Sequence, residues 1–215
     1  DVNSDALAPS IVDQYEAGVK NDFFGGKLTA NLTYYKIKNS NIAQAAIMPD
    51  GTTSTLFKQL NGETTSDGLE LDVTGNLAKG LNFLMGYAYN FMRYTNTADV
   101  TGMIEDVRLV GTTKNTANAT LFYTFQKGAV KGLKLGTSAF YTGARNGGWN
   151  DNKSVASLRL IPLNGFTTFD FSAGYAWKKF TILAKMSNIT NELNYFVHEN
   201  YSVNPIAPRQ FLTTL

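Results

Sequence analysis

The chain has 215 residues, a net charge of +2 and no cysteine. It therefore has no disulfides or thiolate metal sites, and no basic run or charge excess to hold nucleic acid. No stretch of about 18 consecutive apolar residues occurs, which excludes a transmembrane helix. Aromatic residues make up 13%, with 14 Phe and 11 Tyr against 2 Trp, a bias that fits the aromatic girdles of a membrane barrel as well as the core of a sandwich.

Alternation of apolar and polar residues predicts strands at residues 11–22, 28–43, 57–76, 81–94, 115–125, 133–143, 165–177, 180–189 and 209–215. In the second, Leu28, Ala30, Leu32 and Tyr34 fall on one face, and Thr29, Asn31, Thr33 and Tyr35 on the other. The third repeats the pattern at Leu69-Glu70-Leu71-Asp72-Val73-Thr74. The fourth puts Leu81, Phe83, Met85, Tyr87, Tyr89 and Phe91 on one side, opposite Asn82, Leu84, Gly86, Ala88 and Asn90. The seventh alternates from Thr168 to Tyr175, and Glu70, Asp72, Asp170 and Lys185 all land on the polar face. Helical periodicity is absent throughout.

The connections sort by length. Residues 24–27, 77–80, 126–132 and 178–179 are short, polar or glycine-bearing turns, whereas 44–56, 95–113, 144–164 and 190–208 are long. Tight turns at one end and long loops at the other are what an up-and-down barrel gives when one end faces the periplasm and the other the exterior. A soluble Greek-key sandwich has no reason to sort its loops, and it would leave Phe83, Met85, Tyr87, Tyr89 and Phe91 as an exposed patch. The expected fold is all-β: an antiparallel transmembrane β-barrel wall. The opening residues Asp1-Val2-Asn3-Ser4-Asp5 carry no signal-peptide features, so a targeting signal is expected upstream.

Several words along the chain resemble TonB-dependent siderophore receptors. They are Ser10 to Lys20 (SIVDQYEAGVK), Leu28 to Ile37 (LTANLTYYKI), Ser66 to Gly75 (SDGLELDVTG), Lys185 to Asn191 (KMSNITN) and Pro205 to Arg209 (PIAPR). They occur in the family's order and cover nearly the whole chain. The resemblance implies that residues 1–215 are the C-terminal part of a barrel of roughly 22 strands with a plugged lumen. The plug, the TonB contact and the earlier strands would then lie N-terminal to it. Nine strands alone would leave two unpaired edges in hydrocarbon, at several kcal/mol per unsatisfied group. Leu215 stands where the family usually ends on an aromatic residue, a few residues early.

Chemistry-bearing motifs are sparse. The single His198 removes His-pair metal sites and argues against a serine–histidine triad; it reads as an exposed loop residue. Gly25-Gly26 and Gly147-Gly148 are turn glycines without a strand-to-helix context for phosphate. Asn31-Leu32-Thr33 and Asn118-Ala119-Thr120 fit the glycosylation pattern but read as polar strand residues. Glu70 and Asp72, at i and i+2, share a strand face, and with Glu63 they could suggest a cation site. A polar lumen explains them too, and in the family such carboxylates pair with plug or neighbouring-strand arginines. No catalysis, metal site or resident cofactor is expected.

The exterior loops are the functional candidates, because aromatic faces and guanidinium forks suit ferric chelates. The nominated residues are Arg93, Tyr94, Arg108, Arg145, Trp149, Arg159 and Tyr201. The resemblance implies import of a ferric siderophore across the bacterial outer membrane, with membrane lipid, the siderophore and the TonB complex (through the plug) as partners. Cobalamin, haem or an oligosaccharide as cargo, a plugless channel or adhesion barrel, and a soluble sandwich remain alternatives.

Overall fold

The computed structural model describes residues 6–97, 104–149, 160–199 and 202–215. These contain strands β1 (Ile11–Phe23), β2 (Leu28–Ile47), β3 (Thr53–Ala78), β4 (Leu81–Asn96), β5 (Asn115–Thr124), β6 (Lys134–Thr142), β7 (Arg145–Trp149), β8 (Leu160–Leu163), β9 (Phe166–Trp177), β10 (Phe180–Ser187), β11 (Tyr195–Glu199), β12 (Ser202–Pro205) and β13 (Gln210–Thr214), and no helix. Nine form one antiparallel sheet in the order β1-β2-β3-β4-β5-β6-β9-β10-β13. They are the nine that alternation predicts. The other four make two small hairpins, β7–β8 and β11–β12, inside what read as plain loops.

Register carries each strand's alternation across the sheet. Leu32 stands opposite Leu71, Leu71 opposite Tyr87, Tyr87 opposite Ala117 and Ala117 opposite Tyr141. One residue along, Asn31, Asp72, Gly86 and Asn118 form the neighbouring row on the other face. Directly opposed residues project to the same side, so a slip of one residue would turn every apolar row inside out. From Leu81 to Phe91 the apolar stripe of β4 advances ten residue steps. At about 3.4 Å per step and a tilt of about 40° this is roughly 26 Å of height, close to the apolar band of an outer-membrane barrel.

The band stops at a row of charges. Lys36 stands opposite Asp67 at 3.9 Å, Arg93 bonds Asp67 at 2.6 Å, and Lys38 meets Glu63 at 2.7 Å. Ladder irregularities cluster just beyond, between Asn39 and Ile42 and between Glu63 and Thr64. Bulges bend and twist a strand pair, and here they mark where the wall becomes an exterior hairpin. Residues 44–56 are accordingly not a loose loop: β2 and β3 continue to Ile47 and from Thr53, closed by a short turn.

A one-layer wall has no core of its own. The buried side chains instead gather at the exterior end, with Ala46, Trp149, Phe166 and Ile206 as the apolar ones and Gln44, Thr64, Thr65, Arg145, Asn146 and Asn188 among the polar ones. The sequence word Ser66-Asp67-Gly68-Leu69-Glu70 also gains a physical reading. Gly68 lies opposite Tyr35, and a Cβ on Gly68 would land within the Tyr35 ring. The glycine leaves the groove in which that aromatic lies.

Gly68→Ala is therefore expected to cost about 1–3 kcal/mol through overpacking. In a Tyr35→Ala background the same substitution should cost much less. Denaturant titration of the folded barrel in detergent should return a coupling of at least about 0.5 kcal/mol between the two positions. Additive costs would show that the ring does not depend on that gap.

Candidate functional site

At the exterior end, β7 pairs with β8 through Arg145 opposite Leu163 and Trp149 opposite Leu160, and every residue of β7 is buried. The β11–β12 hairpin packs against β7. Residues 104–114 fold back along β4: Leu109 N–H donates to Met92 O at 2.9 Å, and Gly111 N–H to Asn146 O at 2.9 Å. Three connections that are distant in sequence thus form one packed cap. Four apolar residues cannot hold such a cap by burial, and polar staples complete it.

Arg145 is the first staple. Its side chain donates to Gly143 O at 3.3 Å, Asn164 O at 3.0 Å and Asn194 Oδ1 at 2.6 Å, and also to Tyr195 O. The guanidinium carbon lies 5.1 Å from the centroid of the Phe166 ring. The residue is 3% exposed, and burial lowers its pKa. No carboxylate pairs with it among the described residues.

Asn188 is the second. With φ of 49° it ends β10 in the left-handed region, where asparagine is tolerated best after glycine. Its amide donates to Glu192 O at 3.0 Å and Ala207 O at 2.9 Å, while its Oδ1 accepts Glu192 N–H at 2.8 Å. Its own N–H donates to Asp170 Oδ1 at 3.0 Å, and the other Asp170 oxygen pairs with Lys185 at 2.9 Å. Asn191, also left-handed, accepts Arg209 N–H at 2.9 Å. The KMSNITN and PIAPR words therefore meet in space and pinch the base of the last exterior segment. Their signal in the sequence was two asparagines at a strand end, a residue type suited to positive φ and to local side-chain bonds.

The nominated residues fall in different places. Arg93 belongs to the apolar face, bonded to Asp67 and 3.4 Å from Asp106, with its guanidinium 4.8 Å from the Phe91 ring centroid. Lys114 Nζ lies 4.1 Å from the same centroid. Tyr94 takes the opposite face, and burial raises the pKa of its phenol. Arg108 is held opposite Arg93 by an isolated bridge; its Nε is buried without a hydrogen-bond partner, and burial lowers its pKa. Arg145 and Trp149 come together in β7, whereas Arg159 and Tyr201 lie outside the described residues. His198 is exposed but sits in β11 rather than in irregular chain. Glu70 and Asp72 share the polar face, and neither has an ion-pair partner among the described residues. No cluster of three or more histidines and carboxylates that could hold a metal occurs among those residues.

Comparison with known proteins gives a consistent picture. The family model for the TonB-dependent receptor-like β-barrel matches residues 1–189. The metal-pseudopaline receptor of Pseudomonas aeruginosa is 27% identical over 217 aligned residues, covering 100% of this chain and 28% of its own length. The ferrioxamine B receptor of Salmonella typhimurium is 30% identical over 175 residues, covering 81% of the chain and 22% of its own length. Among solved structures, the outer-membrane ferripyoverdine receptor of Pseudomonas aeruginosa superposes with a TM-score of 0.77 at 20% identity, over 99% of this chain and 28% of that one. The ferric preacinetobactin receptor of Acinetobacter baumannii gives 0.76 at 19%, over 94% and 28%. The chain spans less than a third of the length of these relatives.

The Lys38–Glu63 pair at the base of the β2–β3 hairpin sets a pH dependence. Hydrogen bonds from Lys38 and then Thr95 lower the Glu63 pKa, and the bond to Glu63 raises that of Lys38. A depressed carboxylate stabilises the fold above its unfolded pKa and loses that stabilisation as pH falls through the folded value. A raised lysine does the reverse at the alkaline end. The pair is fully in force at neutrality, so acidification below about pH 4 should lower the protection of amides in residues 38–44 and 58–64, once the slower intrinsic exchange in acid is divided out. Hydrogen-exchange mass spectrometry checks this, and Glu63→Gln should give the lower protection at both pH values and abolish the pH dependence.

Proposed function

Because the chain belongs to the TonB-dependent receptor-like β-barrel family, we propose that it forms wall and exterior loops of an outer-membrane receptor that imports a ferric siderophore with energy delivered through TonB. The observation that carries this reading is that relatives matched along this chain are receptors for metal chelates: pseudopaline, ferrioxamine B, pyoverdine and ferrichrome. Its place is the outer membrane of a Gram-negative bacterium. Family members are receptors and transporters, and we assign this chain transport rather than catalysis. Iron enters as cargo, not as a resident cofactor.

The polar face favours a plugged lumen over an open channel. Leu84, Phe122, Phe140 and Leu183 lie on that face among Thr120, Ser138 and Asp170, and each is 43–49% exposed. Water-filled channels are lined by polar groups, whereas an apolar patch of this kind calls for cover. A plug domain carried N-terminal to residue 1 supplies it, and its arginines would answer Glu70 and Asp72. Capture would then begin at the exterior cap, with Tyr94, Arg108, Arg159 and Tyr201 as candidate contacts, while Trp149 is packed within the cap. Arg93 is already engaged by Asp67 and Asp106, and the two terminal nitrogens of Arg145 by oxygens of the chain.

The intact receptor, purified from outer membranes, should quench its aromatic fluorescence on binding one of ferrioxamine B, ferrichrome or ferric pyoverdine, with a Kd below about 1 µM. The iron-free chelator should bind more weakly, and uptake should stop in cells lacking TonB. Binding of cobalamin, haem or an oligosaccharide alone would reassign the cargo. Steady conductance in planar bilayers without chelate binding would replace the receptor with a plugless channel.

A further inference from the structure

We infer that Arg145 is a positioning residue for ligand capture: its guanidinium locks the β7–β8 and β11–β12 connections into one preformed binding surface and does not itself touch the chelate. The inference rests on the receptor reading above.

Three observations meet at this residue. The side chain is buried, and its donors reach carbonyl oxygens and an amide oxygen of Gly143, Asn164, Asn194 and Tyr195, up to 50 positions away in sequence. Among the described residues no β-ladder joins β7–β8 to β11–β12; the Arg145 bonds cross-link the two hairpins there, beside the single bond from Asn194 Nδ2 to Asn164 O at 3.4 Å and the Phe166–Phe196 ring contact. The wall beneath does not need them, because β6 and β9 are held by an unbroken ladder from Lys134–Gly174 to Thr142–Phe166.

Guanidinium chemistry suits this work. Its planar fork of five donors can satisfy several carbonyls at fixed angles, whereas an ammonium offers three donors on a flexible stem. Burying a cation without a carboxylate is costly and has to be met by hydrogen bonds. At a surface that only needed to be folded, an apolar contact would serve. At a surface that must meet a ligand, holding the segments in place before binding removes an ordering cost that affinity would otherwise bear. Both tied connections belong to the exterior cap at which capture is proposed.

The test compares wild type, Arg145→Ala and Arg145→Lys in the intact receptor, using neutral ferrichrome and an anionic ferric catecholate as probes. Arg145→Ala should leave the yield of folded barrel and the exchange protection of β4 and β5 unchanged, while exchange rises in peptides covering 160–166 and 190–199. Affinity should fall about tenfold or more, the loss of one hydrogen bond to a charged group, and equally for every probe the wild type binds. Millimolar methylguanidinium should restore both protection and affinity to the Ala variant by refilling the vacated space, and Arg145→Lys should recover only part of either. A loss confined to the anionic probe would overturn the inference in favour of direct contact. Loosened loops with unchanged affinity would reduce Arg145 to a structural staple, and unchanged exchange would remove the lock altogether. Should wild type bind neither probe, and neither ferrioxamine B nor ferric pyoverdine, the siderophore reading falls while the exchange arm still decides whether Arg145 ties the cap.

Discussion

The structure depends first on a backbone constraint: in hydrocarbon every N–H and C=O must be paired within the protein, and an extended chain can do this only through its neighbours. Once strands are paired, side chains must alternate between lipid and lumen, and register is locked because a single slip would expose the wrong face throughout. The rows running from Leu32 to Tyr141 and from Asn31 to Asn118 are that constraint written in side chains. It also explains the absence of a core in the wall. Lipid covers one face, and the other lines the lumen.

At the exterior end the constraint lifts, and a different economy applies. Water can satisfy backbone groups there, so nothing forces the connections into order. Order comes from polar staples set at strand ends: Arg145 across two hairpins, Asn188 and Asn191 at the base of the last, and Lys38–Glu63 under the first. Each replaces hydrophobic burial that a thin cap cannot supply. Staples of this kind specify one arrangement while adding little net stability, since desolvation offsets much of what hydrogen bonds return.

The wall was legible because its signal is local and has period 2. The sheet adds no strand to the nine that alternation marks, and strand ends moved by only a few residues wherever a tight turn bounds them. The cap was not legible. The small hairpins arise where loop packs on loop, and five residues such as Arg145-Asn146-Gly147-Gly148-Trp149 carry no alternation to announce a strand. The aim of Arg93 could have been read. It lies two positions beyond Phe91 on the same strand, so the parity that sends Phe91 to the apolar face sends Arg93 there too. Residue type suggested a ligand contact, while parity indicated an ion pair above the lipid band. No local feature of the sequence separates Arg145 from an exposed loop arginine, because its four acceptors lie as far as 50 positions away.

This division bears on where cargo specificity resides. A wall built to satisfy lipid and backbone is generic: solved receptors that superpose over nearly this whole chain share only 17–21% of its residues and serve different chelates. On the receptor reading proposed above, specificity would come from the cap, whose shape is set by a few buried polar atoms rather than by a core. Such a design lets side chains at the surface vary freely while the staples keep the backbone beneath them fixed. It also means that charge counted along the loops is a poor guide to the charge offered to a ligand. Of the arginines whose surroundings are described here, Arg93 is held by Asp67 and Asp106, and Arg145 spends its two terminal nitrogens on oxygens of the protein itself. Arg108 and Arg145 each keep a buried Nε without a partner. The cation available to an incoming anion is what remains after the fold has taken its share.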